Sequence, residues 1–309
     1  MTITDAPKAM IRRAEKLWPG CFAALERIIT DVQVPLKELA AELLAGRYGL
    51  EVQVAALEAP ILAAAFLWMK APNIYRFFGA FSDSLGDYCD TVSAGDVLPV
   101  EAVTQLHYRC VYLYAPGVFS CKADGCLCYL DSDGLIDTLE VVFPFSEKAF
   151  FSASVRLHPQ KEILECLPAM ESMVESALFP AWNGHPGAMA FLVGGASVPT
   201  PFDCPVHNSL LRIIQHCLYL ISMNADVQSA EGESEQEIRF YDVGFQMTPP
   251  EPSGEPQQPK SDGDGTGGPK RAHLRRAHWH NYWVRNEAGE KVLTPKWIAA
   301  VYVGAREDD

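Results

Sequence analysis

The chain has 309 residues, 49% of them hydrophobic and 21% charged, an ordinary globular composition with enough length for a large core that needs no disulfide staples. Its formal net charge of −14 excludes non-specific nucleic-acid binding by the whole surface but leaves room for a local basic site. Nine cysteines, an odd number lying mostly in apolar runs such as YRCVYLY (108–114) and IIQHCLYL (213–220), read as reduced thiols. The start carries basic residues without the apolar core of a signal peptide, and APILAAAFLWMKAP (59–72) reads as too short to span a bilayer. The expectation is a cytoplasmic protein with no membrane partner.

The first 100 residues form a mainly helical part. AMIRRAEKLW (9–18), CFAALERIIT (21–30) and PLKELAAELLAG (35–46) have apolar residues at three- and four-residue spacing, and 59–72 reads as a buried helix. From about 105 the period changes. QLHYRCVYLYAPG, VFSCKA, GCLCYLDSDG and LIDTLEVVF are short, rich in β-branched and aromatic residues and separated by Gly, Asp and Pro, which predicts an antiparallel meander. AFFSASVRLH (149–158) adds a strand. KEILECLPAMESMVESALF (161–179) returns to helix, with Pro168 as an interruption. In 204–226 Leu210, Leu211, Ile214, Leu218 and Ile221 make an apolar helical stripe, and EIRFYDVGFQM (237–247) reads as a strand. Residues 101–247 are thus an α+β core.

Residues 248–270, dominated by Pro, Gly, Ser and Asp, read as a disordered linker. Structure resumes over 271–309 as a β-hairpin turning at Asn286–Glu290. The fold class predicted is α+β: a helical N-terminal part, a mainly antiparallel central sheet with covering helices, and a C-terminal hairpin that packs on the core and completes its sheet.

Most chemistry-bearing residues upstream have ordinary explanations. Cys121, Cys126 and Cys128 straddle a hairpin, and the latter two share a face as small hydrophobes. DSDG (131–134) lacks the later ligands of a calcium loop and reads as a turn. LVGGAS (192–197) lacks the Gly-Lys-Ser/Thr of a phosphate loop. His185 falls in a loop, and His207 and His216 lie on opposite faces of one helix. No cofactor motif and no complete metal-ligand set is legible.

The strip RAHLRRAHWHNYW (271–283) stands apart. It holds Arg271, Arg275, Arg276, three histidines and three aromatics, and 270–297 carries seven Lys/Arg against two Glu. Strand alternation separates Arg276, His278, His280 and Tyr282 from Trp279 and Trp283. The division expected is Trp279 and Trp283 into the core, with Arg276, His278 and His280 outward or into a cleft. His278 and His280 are candidates for acid and base on RNA, with arginines stabilising phosphate charge. The His-x-His pair as a metal site, the strip as a binder of phosphates and bases without chemistry, and a cationic strand paired to the acidic body are the competing readings.

Arg271, His273, Arg275, Arg276, His278, Trp279, His280, Tyr282 and Trp283, followed by Lys296 and Trp297, resemble the C-terminal signature of a type V-A anti-CRISPR family that blocks production of the CRISPR effector. YRCVYLY, LLRIIQHCLYLISMNAD and FYDVGFQM fit it more loosely. The resemblance implies recognition of the effector's N-terminal segment as it leaves the ribosome, followed by loss of its mRNA, with the ribosome, the mRNA or a host ribonuclease as further partners. Read with the alternation, Arg275, Arg276, His278, His280 and Tyr282 are the candidate binding residues, and Trp279, Trp283 and Trp297 the structural part of the motif. The resemblance is compatible with cutting by the protein itself or by a recruited host ribonuclease; two histidines without a third positioned group favour an interaction protein without catalytic activity of its own. A metal-independent ribonuclease and a nucleic-acid-binding regulator stay open as alternatives.

Overall fold

The computed structural model describes residues 3–29, 34–89, 92–93, 96–119, 123–144, 150–158, 161–168, 205–230, 238–244, 273–275, 278–285, 289–298 and 301–303. The expected linker 248–270, His185, LVGGAS, Cys121 and Arg276 lie outside them.

A seven-stranded mixed sheet forms the middle layer, in the order β5-β4-β3-β2-β1-β7-β6. The expected meander is β2 (Cys110–Tyr114), β3 (Gly125–Ser132), β4 (Asp137–Pro144) and β5 (Phe150–Arg156), antiparallel throughout. Beyond it lie β1 (Asn73–Phe77), β7 (Arg239–Val243) and β6 (Val227–Ser229). β1 runs parallel to both of its neighbours, β2 and β7. It sits inside the stretch expected to be helical. Buried on both faces, it shows neither alternation nor a long apolar run to betray a strand. VFSCKA is not a strand where it is described, since Val118 and Phe119 lie in turns.

Alternation along the strands sends apolar side chains to both faces, so the sheet has two cores. One face presents Ile74, Cys110, Tyr112, Leu127, Tyr129, Val142 and Phe240 to the helices α1 (Asp5–Leu17), α2 (Cys21–Ile28), α3 (Leu36–Tyr48) and α4 (Val52–Lys70). α4 is longer than the sequence stretch suggested. It has 19 residues and is long and apolar enough to cross a membrane. In the fold it is the central helix of this layer, with Leu62, Ala63, Ala64 and Ala65 fully enclosed. A helix apolar all round is what a position between sheet and neighbouring helices selects.

The start of α3 is capped from across the fold. Asp131 at the end of β3 accepts hydrogen bonds from the Leu36 (2.8 Å) and Lys37 (3.0 Å) amides. Those N–H groups have no intrahelical acceptor, and Pro35 supplies no capping side chain. The Lys37 ammonium meets the buried Glu140, which also accepts from Ser154. Thus DSDG is a turn, held by Asp133 accepting from the Leu135 and Ile136 amides, whose first residue fixes a distant helix.

The opposite face carries Phe77, Val111, Leu113, Cys126, Cys128, Val141 and Phe143 beneath α5 (Gly79–Cys89), a 3-10 helix at Val100–Gln105 and α7 (Pro205–Leu220). The expected helix at 161–179 is described only as α6 (Ile163–Cys166), which stops before Pro168. α7 matches its predicted stripe but ends at Leu220. Cys126 and Cys128 share a face, as alternation requires, with Sγ atoms 3.7 Å apart. Burial, and then the contact with Cys126, pushes the Cys128 thiol well up.

His216 of α7 is fully enclosed over Phe77. Its Nδ1 lies 2.6 Å from the Arg212 carbonyl, so that nitrogen carries the proton, and Nε2 accepts from the Ser82 hydroxyl at 3.0 Å. Burial lowers its pKa from 6.5 to about 4. The unfolded chain therefore binds a proton at pH 4 to 6.5 that the folded chain refuses, and stability falls as pH drops through that window. Between pH 7.5 and pH 5 this group should cost about 2 kcal/mol. Urea denaturation of His216→Asn against the parent at both pH values measures it. Equal pH dependence in the two proteins would show that His216 is not held neutral.

Candidate functional site: the C-terminal hairpin

The basic strip is two strands rather than one. β8 (His273–Arg275) pairs with β11 (Val301–Val303), and β9 (His278–Arg285) pairs with β10 (Lys291–Ile298). The hairpin returns to the body as expected, but as its own two-stranded sheet packed over α7, not as added strands of the central sheet.

Its anchor is Trp297, which is 1% exposed and among the largest fully buried side chains. Trp279, directly opposite in the ladder, packs on it at 4.9 Å, and Tyr88 of α5 meets it edge-on at 5.7 Å. The Trp279 indole N–H donates to Oε1 of the buried Gln215 on α7. The outer edge of β10 is held by the turn after α7. Met223 N–H donates to the Pro295 carbonyl (3.0 Å), and Asn224 both donates to the Trp297 carbonyl (2.8 Å) and accepts from its N–H (3.2 Å). Backbone groups of residues two apart in a strand point the same way. Pro295 therefore sits where its missing N–H would have faced away from β9, so it costs the ladder nothing.

Trp279 and Trp297 are structural in placement. Trp283, expected in the core, is 69% exposed. It is on the same hairpin face as Trp279, but four residues further along, past the end of the surface that covers that face. Alternation assigns a face and cannot say where the body stops. His280 and Tyr282 do face away from the Trp279 side, with their rings stacked at 4.6 Å and 25°, and Lys296 lies 6.0 Å from the Tyr282 ring centre. His278 shares that face and is partly buried. Arg275 lies on β8, its side chain outside the described part, and Arg276 lies outside altogether.

The two histidines are thus neighbours on one strand face. His280 is exposed and its ring is occupied by Tyr282. That arrangement suits contact with a flat or anionic partner better than proton transfer, which needs a reacting group held against a positioned acid or base. Among the described residues no group of three His, Cys, Asp or Glu is placed to hold a metal ion.

A second polar and aromatic cluster escaped the sequence. Tyr75 stacks on Tyr241 (4.8 Å, 15°), the Tyr241 and Tyr108 hydroxyls are 2.7 Å apart, and the exposed Arg239 donates to the Tyr108 hydroxyl at 2.8 Å. Burial raises the Tyr75 and Tyr241 phenols. Residues separated by 133 positions are joined only by the β2-β1-β7 order, which no local pattern encodes.

Truncation separates anchor from surface. Trp297→Ala should lose about 3–5 kcal/mol of stability, and Trp283→Ala less than about 1 kcal/mol. Urea denaturation of both variants decides this. A Trp283→Ala loss as large as that of Trp297→Ala would mean that the ring is covered in solution.

The architecture recurs in the crystal structure of AcrVA2, with a TM-score of 0.52 over 95% of this chain and 97% of that one, at 14% sequence identity. At that identity the likeness is one of fold. No curated protein matches the sequence. The model of the AcrVA2-like family, described as the anti-CRISPR type V subtype A2 family, matches residues 80–305, from α5 through the anchored hairpin with its buried Trp297. A match over most of the chain settles membership: this protein belongs to the anti-CRISPR type V subtype A2 family.

Proposed function

We propose that the protein is an anti-CRISPR interaction protein that recognises the N-terminal segment of a type V-A CRISPR effector during synthesis and causes translation-dependent loss of the effector's mRNA. It acts in the cytoplasm, where the effector is translated. The observation that carries this reading is the family match over residues 80–305, which points to a CRISPR effector as target. The division of charge supports it. Residues 270–297 hold seven cations against two anions, leaving 18 against 37 elsewhere. An acidic body and one basic projection suit a protein that meets a peptide and a ribosome-bound message together.

The protein brings about RNA loss without cutting RNA itself. His280 stacked on Tyr282 in the open offers no enclosed centre for acid–base work. A host ribonuclease then does the cutting.

The test is co-expression with a type V-A effector, following mRNA and protein together. Both should fall, and a reporter fused behind the effector's N-terminal segment should fall with them. The same message without a start codon should persist. Unchanged effector mRNA and protein would remove the reading. Loss of the untranslated message would remove its translation-dependent step.

A further inference from the structure

We propose that the free end of the β9–β10 hairpin is a platform for single-stranded RNA, with bases stacking on Tyr282 and Trp283 and the phosphates held by Lys296 and Arg285. The ribbon is fixed at one end by Trp297 and open at the other. One side of the Tyr282 ring is taken by His280, yet the residue stays 39% exposed, and Trp283 is 69% exposed. The two are consecutive on β9, so their rings lie on opposite faces of the ribbon.

The cations follow the same division. Lys296 lies beside Tyr282 on one face. Arg285 and Lys291, directly opposite each other in the ladder and both exposed, share the other face with Trp283. The β10 edge is taken near the anchor by Met223 and Asn224. Among the described residues β9 pairs with nothing but β10. A nucleic-acid strand running along the β9 edge can therefore offer one base to each face while its backbone passes the cations.

Stacking favours unpaired bases, because a duplex hides their flat faces. Charge selects the same partner. With an excess of 19 anions outside residues 270–297, set against an excess of five cations within them, the segment that includes this ribbon is the part of the chain best suited to an anionic partner. An acidic peptide would satisfy the cations but leave two large exposed rings unused.

The inference rests on the mRNA-loss reading for its biological sense, but it is tested without any effector. The full chain is titrated into a fluorescein-labelled single-stranded RNA of mixed sequence, read by anisotropy at several salt concentrations. Binding should weaken with salt. Tyr282→Ala and Trp283→Ala should each weaken it about tenfold. Lys296→Gln should reduce the log–log salt slope by about 0.7. Thermal denaturation should find all three variants folded, and the same sequence as duplex RNA should bind more weakly.

Absence of binding at low salt overturns the proposal. So does unchanged affinity in both aromatic variants, equal affinity for the duplex, or displacement by polyglutamate as effective as by unlabelled RNA. RNA binding without effector depletion in cells would leave the platform and remove the functional reading. Depletion that survives Tyr282→Ala and Trp283→Ala, with no RNA binding by the purified parent, would do the reverse.

Discussion

The sheet has two apolar faces, and everything else follows from the need to cover both. A sheet with one wet face could end at the meander β2–β5. This one buries Cys110, Tyr112 and Tyr129 on one side and Val111, Leu113 and Cys128 on the other. The N-terminal helices cover the first face. α5 and α7 cover the second, and the hairpin closes the gap left beside them by inserting Trp297. The hairpin is therefore part of the second core at its base and a projection at its tip. One short ribbon combines a rigid footing with an exposed end, which is how rigid scaffolds commonly present binding surfaces.

Polar contacts sharpen this packing at a few points. Asp131 satisfies two amides at the start of α3 and so ties the helical layer to the β3–β4 turn. Gln215 does the same between α7 and Trp279. His216 is the costliest of these groups, since it is kept neutral inside an aromatic pocket with Phe77 and Phe119 nearby. Its two hydrogen bonds fix the tautomer and hold α5 to α7 through Ser82. A Ser–His contact usually invites a hydrolytic reading, but Ser82 is 1% exposed and His216 fully enclosed, so no substrate reaches them.

The meander, the long helix α7 and the hairpin were legible because their apolar spacing and turn residues are local signals. So were the shared face of Cys126 and Cys128 and the outward face of His280 and Tyr282, which follow from alternation alone. β1 was not legible. A five-residue strand buried on both sides has no polar face to set its period, and only its pairing to β2 and β7 identifies it. Trp283 was misplaced for a related reason, since periodicity gives direction and not the extent of the surface beneath. Asp131, Asn224, Gln215 and the Tyr108–Tyr241 pair act across long sequence separations, and nothing in their neighbourhoods marks them. Arg276, counted with the binding residues, lies outside the described structure, as does the proline-rich segment before the strip.

The fastening of β10 runs largely through its main chain. Met223 and Asn224 grip the carbonyls of Pro295 and Trp297 and the Trp297 amide. Those are main-chain atoms, present whatever side chains the ribbon carries. Among the described side chains of the ribbon, Trp297 and its partner Trp279 are the large ones packed into the body. Tyr282, Thr294 and Lys296, on the open face, make none of these fastening contacts. A substitution on that face changes what the ribbon presents while its main-chain fastening stays as it is.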